Sequence, residues 1–203
     1  MEDKSGTTVE QTIEYYNKNA EAFIQSTIDV DMSGLYSEFE KYLFSGCKIL
    51  DLGCGSGRDS KYFMDKGYQI TAVDPSEVMC ASIKKIFGIN VLKMSAEDIV
   101  FVEEFDAIWA CASLLHIKMS EMKMVLNKCT QSLKKGGYMY ASWKYGKGER
   151  IDGYRYFCDF DEESIKKVLS VISNIKIVKV WKTSDVRNMN MTVWINVIVK
   201  RIY

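Results

Sequence analysis

The chain of 203 residues has a single proline, Pro75, and no apolar run approaching the roughly 20 residues that span a bilayer. Without low-complexity stretches or repeats it shows no linker, so we expect one domain over residues 1–203. The first residues are polar and lack the apolar core of an export signal. These features predict a cytoplasmic protein that does not associate with a membrane.

Neither the charged residues nor the potential metal ligands of the sequence point to a nucleic-acid partner or a metal site. The 27 basic and 27 acidic residues cancel, which gives no support for a nucleic-acid partner. The six cysteines lie at irregular spacings without a C-x-x-C pair, and His116 is the sole histidine. We therefore expect no metal site, and we interpret most cysteines as small buried apolar residues of a reducing compartment.

What the sequence does contain is an alternation of short apolar segments with amphipathic ones. This pattern occurs five times between Cys47 and Trp143 and predicts parallel strands with helices on both faces. Apolar spacings predict one helix from Val9 to Thr27 and another from Ser33, so residues 1–45 form a helical lid on a core of residues 46–203. Two apolar strand patterns after residue 173 predict an antiparallel hairpin at the sheet edge.

Helix boundaries follow from capping residues. We expect the helix after the second strand to begin at Ser76 and end at Gly88, and the helix after the fourth strand to begin at Ser120 and end at Gly136.

Three alternate glycines follow the first predicted strand, in the stretch ILDLGCGSGRD (49–59). Bare backbone at Gly53, Gly55 and Gly57 lets a ligand approach the amides closely, although a tight turn alone is the structural alternative. The dinucleotide pattern G-x-G-x-x-G would place its third glycine where Arg58 stands. Asp74 ends the second strand, where a carboxylate can accept hydrogen bonds from ribose hydroxyls or serve only as a strand-end cap.

Five motifs follow one another along the chain: ILDLGCGSGRD, VDPSEVM, MSAEDI, FDAIWACASLLHI and LKKGGYMYASW. In their order and spacing the chain resembles the class I S-adenosylmethionine-dependent methyltransferases, and among them small-molecule enzymes of the tellurite-resistance and ubiquinone-biosynthesis type. The resemblance implies a Rossmann-like, seven-stranded, mostly parallel α/β sheet with helices on both faces, a C-terminal antiparallel hairpin and a helical N-terminal lid. It also implies S-adenosyl-L-methionine as cofactor and a small molecule as acceptor.

The resemblance assigns cofactor contacts residue by residue. Along the methionine portion it implies the three glycines, Asp51 near the ammonium group and backbone of Ala110. At the ribose it implies Asp74, and Tyr15 closes over the cofactor from the first helix. Around the adenine it implies Met79, Ser95, Ala96 and Glu97.

Methyl transfer mainly requires in-line positioning and a dry site, so neither a metal nor a covalent nucleophile is needed. His116, which follows the fourth strand, is the best candidate for a catalytic base, with structural packing as the alternative. Arg58 is placed to reach the cofactor carboxylate or an anionic substrate, or to form an ordinary salt bridge.

Candidate substrate-binding residues are Tyr16, Lys144 and Arg155. Helix packing is the alternative for Tyr16, and a mobile loop is the alternative for the stretch that holds Lys144 and Arg155. Asp185 and Arg187 are unusual residues for the predicted hairpin turn. Two other functions remain open: a NAD-dependent oxidoreductase on a Rossmann sheet, and a non-catalytic cofactor-binding protein. The sequence leaves the oligomeric state open.

Overall fold

The computed structural model describes residues 8–187 and 191–203, so the centre of the predicted hairpin turn, 188–190, lies outside the described residues. The helices are α1 (Thr8–Lys18), α2 (Ala20–Thr27), α3 (Ser33–Glu40), α4 (Arg58–Asp65), α5 (Glu77–Phe87), α6 (Met119–Ser132) and α7 (Glu162–Ser170). The strands are β1 (Lys48–Leu52), β2 (Gln69–Asp74), β3 (Val91–Lys93), β4 (Phe105–Ala110), β5 (Leu133–Lys144), β6 (Gly148–Asp152), β7 (Arg155–Asp159), β8 (Ile175–Ser184) and β9 (Val193–Arg201). Short 3-10 turns cover Ala96–Asp98 and Leu114–His116.

Seven strands form one sheet in the order β3-β2-β1-β4-β5-β9-β8. Strands β1 to β5 run parallel, whereas β9 is antiparallel to both β5 and β8. Asp51 of β1 pairs with Ala72 of β2 on one side and with Trp109 of β4 on the other. The strand order reverses between β1 and β4, the place where sheets of this kind bind their ligands. The predicted fold, including the terminal hairpin, is confirmed.

Helices cover both faces of the sheet, which explains why its central strands are apolar on both sides. Leu50 and Ile108 pack in the cluster that contains α6 and α7, while Ile49 and Trp109 pack on the opposite face with α3 and α4. All four of these side chains are completely buried. No helix in the described ranges is long and apolar enough to cross a membrane.

The N-terminal helices lie against the site end of the sheet. The helix predicted for residues 9–27 is broken at Asn19 into α1 and α2. Thr12 Oγ1 accepts a hydrogen bond of 3.0 Å from the Tyr156 amide of β7, and Ser76 Oγ donates one of 2.7 Å to Asn17 Oδ1. These bonds fix α1 over the core at two separate places.

Capping residues fix α5 as predicted, because Ser76 Oγ accepts from the Met79 amide and Gly88 follows the last turn at φ 71°. The boundaries predicted for α6 are wrong at both ends. Its N-cap is Lys118 rather than Ser120, and it ends at Ser132 rather than Gly136. The reason for the early end is that Leu133 already pairs with Phe105 as part of β5.

The stretch after β5, for which a mobile loop was the alternative to a set of substrate-binding residues, forms a β-hairpin. Strand β6 pairs antiparallel with β7, and their register joins Arg150 to Phe157 and Asp152 to Arg155. Burial explains the order, since Phe157 and Cys158 are 2 % and 0 % exposed and belong to the core cluster under α6 and α7.

Candidate active site

A cavity of about 930 Å³ lies at the carboxyl end of the sheet. Its walls are the segments that follow β1, β2, β3 and β4, closed by α1 and α2 on one side and by β5, β7 and the β8–β9 hairpin on the other. A volume near the upper end of the usual range for ligand sites leaves room for a cofactor and a second small molecule together.

Two of the three alternate glycines form the floor of this cavity. Gly53 and Gly55 have φ of 74° and 51°, a region that other residues rarely adopt. A Cβ atom at Gly53 would lie 2.5 Å from the Cβ of Ser113, and one at Gly55 would lie 3.2 Å from Cε1 of Phe23. Backbone conformation therefore disfavours a side chain at both positions, and at Gly53 there is also no space for one.

The third glycine has a different place. Gly57 does not line the cavity, and its φ of 73° puts it at the N-cap of α4. A Cβ atom there would lie 2.8 Å from Cγ2 of Ile83, so the missing side chain allows α5 to pack against the loop. Its predicted cofactor contact stays a prediction.

Asp74 joins the glycine loop to the start of α5. Its Oδ2 accepts a hydrogen bond of 3.0 Å from the Gly55 amide, and Oδ1 accepts one of 2.9 Å from the Ser76 amide. Burial raises the pKa of Asp74 to about 6, although both amide bonds lower it. The carboxylate lines the cavity, and each oxygen has a further lone pair for a ligand hydroxyl.

The predicted adenine contacts also reach the cavity. Met79 is almost fully buried beneath it, and Ser95, Ala96 and Glu97 line the wall that follows β3. Ser95 Oγ donates to Asp98 Oδ2 at 2.7 Å, which holds this short turn in shape.

Asp51 and Ala110 lie one layer behind the cavity wall rather than on it. Asp51 is buried and accepts a hydrogen bond of 2.5 Å from Ser60 Oγ. Burial, and next the nearby Asp59 carboxylate, raise the pKa of Asp51. Ala110 is completely buried, paired with Ala141 in the sheet. Their predicted cofactor contacts stay predictions.

The residues just after Ala110 line the cavity instead. Ala112 has a φ of 52°, uncommon for a residue with a side chain, and its amide donates to Ser142 Oγ at 2.9 Å. The Ser113 hydroxyl is buried in the wall and has no hydrogen-bond partner among the described residues. A strained backbone beside an unsatisfied polar atom is typical of a ligand site.

Arg58 lines the cavity with its charge already neutralised. Its Nε and Nη2 donate to the two Asp59 oxygens at 2.6 and 3.0 Å. The same carboxylate accepts from the Tyr36 hydroxyl at 2.5 Å and from Trp109 Nε1 at 2.8 Å. Burial would raise the pKa of Asp59, but Arg58 and the two other donors outweigh it and hold the pKa below its ordinary value.

His116 is the centre of a hydrogen-bonded chain. Its Nδ1 lies 2.6 Å from the Tyr156 carbonyl oxygen, which can only accept, so the proton of the neutral ring is on Nδ1. Nε2 then accepts from the Tyr16 hydroxyl at 3.0 Å. Burial lowers the pKa of His116 to about 4, against a smaller opposing effect of the carbonyl bond.

Two cations of the β5–β7 region complete the wall. The Arg155 guanidinium lies 4.6 Å from the ring centre of Tyr15 and 5.1 Å from that of Phe157, and Lys144 Nζ lies 4.1 Å from the Phe157 ring centre. Lys144, Arg155, Tyr15 and Tyr16 all line the cavity. The structure thus brings the predicted substrate-binding residues together with His116.

Asp185 and Arg187, for which the sequence predicts no role, also line the cavity. Arg187 donates to the Asp185 carboxylate at 3.0 and 2.8 Å, and Trp194 Nε1 adds a bond of 3.2 Å. The sequence feature that could have identified them is an acidic and a basic residue two positions apart in an otherwise apolar hairpin.

Comparison with known proteins agrees with this geometry. Residues 49–137 match the family described as "Methyltransferase domain". The chain is 33% identical over 103 residues to the ubiquinone biosynthesis O-methyltransferase of Nitrobacter winogradskyi, covering 48% of this chain and 39% of that protein. It is 25% identical over 135 residues to the probable S-adenosyl-L-methionine-dependent methyltransferase TehB of Haemophilus influenzae, covering 64% and 47%. The chain therefore spans less than half the length of these two relatives.

Solved structures share the fold at low sequence identity. The 1,6-didemethyltoxoflavin-N1-methyltransferase of Burkholderia thailandensis, solved with 1,6-didemethyltoxoflavin and S-adenosylhomocysteine, has a TM-score of 0.78 and 17% identity, covering 96% of this chain and 88% of that one. The [4+2]-cyclase SpnF has a TM-score of 0.73 and 17% identity, covering 97% and 96%. One fold thus hosts both methyl transfer and ring formation, so the reaction has to be argued from the site.

Proposed function

We propose that the chain is a class I S-adenosylmethionine-dependent methyltransferase, which transfers a methyl group from this cofactor to a small-molecule acceptor. The observation that carries the proposal is the convergence of bare backbone at Gly53 and Gly55, the Asp74 carboxylate and the Met79 wall on one cavity. The cavity is large enough for two molecules, as methyl transfer requires.

The residues present fit S-adenosylmethionine. A Cβ atom at Gly53 or Gly55 would occupy part of the cavity floor. Asp74 has lone pairs free for two hydroxyls, and the buried Ser113 hydroxyl has no hydrogen-bond partner among the described residues. We place the methionine portion at Gly53 and Ser113, the ribose at Asp74, and the adenine between Met79 and the Ser95–Glu97 turn. When bound, the cofactor supplies an electrophilic methyl group on a positively charged sulfur.

Tyr16 and His116 are the groups that can take the acceptor's proton. The Tyr16 hydroxyl donates to His116 Nε2, and Arg155 acts as a hydrogen-bond donor to the Tyr16 oxygen, which leaves one lone pair of that oxygen to accept a hydrogen from the acceptor. A proton received by Tyr16 passes along the existing hydrogen bond to His116. Burial lowers the pKa of His116 to about 4, so the ring is neutral at pH 7 and its Nε2 has a lone pair to receive this proton.

Exclusion of water is the other task of the chain. Helices α1 and α2 cover the cavity, and α1 is bonded to both β7 and the start of α5. A dry site strengthens the electrostatic contacts that position the reactants.

Two measurements test the proposal. S-adenosylhomocysteine should raise the melting temperature by several degrees at a concentration of about 100 times its Kd, whereas NAD should not. Incubation with methyl-labelled S-adenosylmethionine should place label in a small-molecule extract rather than in total RNA or protein. Stabilisation by NAD alone, or label found in RNA, would overturn the proposal.

A further inference from the structure

We propose that Arg155 and Lys144 form a binding site for an acid group of the methyl acceptor, which makes the acceptor a small oxyanion-bearing molecule. This inference rests on the proposed function, and it adds a substrate class to it.

Arg155 is a cation on the cavity wall without an acidic partner. No carboxylate of the described residues lies within 4.0 Å of its guanidinium, and its buried Nε has no hydrogen-bond acceptor there. The guanidinium lies over the Tyr15 and Phe157 rings, with its central carbon 4.6 and 5.1 Å from their centres. These aromatic contacts use none of its N–H donors, and although one donor reaches the Tyr16 hydroxyl, the buried Nε is left for a ligand.

Lys144 adds a second charge on the same wall. Its Nζ lies over the Phe157 ring, and no acidic side chain in the described part of the chain forms an ion pair with it. Burial, and next the charges of Arg150 and Arg155, lower the pKa of Lys144. Two neighbouring cations that raise each other's electrostatic energy are stabilised when an anion binds between them.

The acidic residues of the hairpin have other partners than this pair, because Asp152 and Asp159 form ion pairs with a third cation and Glu149 bonds the Met119 amide and the Tyr156 hydroxyl. Arg150 Nε donates to Asp159 at 2.6 Å, and its Nη1 lies 3.5 Å from Asp152. Arg150 also stacks on Phe157, yet it does not line the cavity. Arg150 is thus paired with acidic residues of the hairpin, whereas Arg155, which lines the cavity, is not.

The other two arginines that line the cavity differ from Arg155, because each has an acidic partner. Arg58 is neutralised by Asp59 and Arg187 by Asp185, so neither offers a net charge to an acceptor. The unpaired cations lie on the wall that also carries Tyr16 and His116. An acid group held by Arg155 and Lys144 would place the rest of the acceptor beside Tyr16.

The test measures binding of matched probes to the protein saturated with S-adenosylhomocysteine. Benzoate is compared with benzamide, and phenyl phosphate with phenol, by ligand-observed NMR titration. We expect each acid to bind at least tenfold more tightly than its neutral analogue, and increasingly weakly as salt is added. The better of the two acids identifies the oxyanion class.

Variants locate the site. Arg155→Met and Lys144→Met should each weaken binding of the better acid by about tenfold or more and leave the affinity for S-adenosylhomocysteine within twofold. Arg155→Lys should retain part of the affinity, since it keeps the charge but loses the planar donor pair. Lys147→Met removes the same charge from the exposed partner of Asp161 and should change neither affinity.

The outcomes separate the two proposals. Failure of the folded protein to bind S-adenosylhomocysteine would refute the proposed function. Normal cofactor binding together with acids that bind no better than their neutral analogues, or with acid binding unchanged in Arg155→Met and Lys144→Met, would refute the acid-group site alone.

Discussion

The Tyr16 hydroxyl donates a hydrogen bond of 3.0 Å to His116 Nε2, which links the first helix to the turn after β4. Because Nδ1 of the same ring is committed to the Tyr156 carbonyl, the imidazole is fixed in one neutral form with its lone pair toward Tyr16. A second proton on this ring would reverse the direction of that hydrogen bond, since Nε2 would then donate to the Tyr16 oxygen.

This geometry predicts an acid-sensitive stability. The unfolded chain takes up a proton on His116 below about pH 6.5, but the folded chain does so only near the lowered pKa of about 4. The free energy of unfolding therefore falls as the pH falls from 7 towards 4, by about 2 kcal/mol between pH 7 and pH 5 from this residue. Urea unfolding at both pH values measures the change.

The buried carboxylates Asp51 and Asp74 have raised pKa values and act in the opposite direction, so the comparison has to be with a variant. In His116→Gln, the change in the free energy of unfolding between pH 7 and pH 5 should differ from that of the wild type by the same amount, about 2 kcal/mol. An identical pH dependence in both proteins would show that His116 is not buried in its neutral form.

Cofactor affinity should follow the ionisation of Asp74. Above its raised pKa of about 6 the carboxylate is charged and can accept two ligand hydroxyls, and below it a proton occupies one oxygen. Binding of S-adenosylhomocysteine should accordingly be about tenfold weaker at pH 5 than at pH 7. Asp74→Asn should bind weakly with little pH dependence over this range, and an unchanged profile would remove Asp74 from the site.

Asp59 should be worth more to stability than any exposed acid. Its carboxylate accepts from Arg58, Tyr36 and Trp109, so Asp59→Asn leaves a guanidinium charge without its partner in the interior. We expect the free energy of unfolding to fall by about 3–5 kcal/mol.

The matched control is Asp65→Asn. Asp65 pairs with Lys61 on the exposed side of the same helix, so its loss should leave the free energy of unfolding nearly unchanged. Similar losses in both variants would mean that the buried network does not stabilise the fold.

Gly57 should be required for packing rather than for cofactor contact. An alanine at Gly57 or Gly67 is strained alike, with φ of 73° and 87°, but only at Gly57 does the new Cβ overlap Ile83. Gly57→Ala should therefore lose about 1–3 kcal/mol more stability than Gly67→Ala. Equal losses would contradict the packing role, and a selective loss of cofactor affinity in folded Gly57→Ala would restore the predicted contact.

The sequence predicts the sheet well because its strands are apolar on both faces and end in Gly53, Asp74 and the Ala110 region. It does not predict the β6–β7 hairpin, because β6 is mostly exposed and carries charged residues that hide the strand pattern. The apolar side chains that are buried when the hairpin forms belong to β7, and they pack against core residues that are distant in the sequence.

The residue set of the site is predicted more fully than its chemistry. The sequence identifies both Arg58 and Arg155 as candidate ligand contacts, and only the fold shows that Arg58 pairs with the adjacent Asp59 whereas Arg155 lies over the Tyr15 ring. The tautomer of His116 likewise depends on a carbonyl oxygen 40 positions away. Such pairings are set by tertiary packing, which local patterns do not contain.

Calorimetric titration of S-adenosylhomocysteine into the folded chain at pH 7.5 tests the central claim most directly. One saturable site per chain, weakened at least tenfold in Asp74→Ala and unchanged in Glu77→Gln, whose side chain is exposed and paired with Lys93, is the predicted result. Absence of binding at millimolar ligand, or equal affinity in wild type and Asp74→Ala, would contradict it.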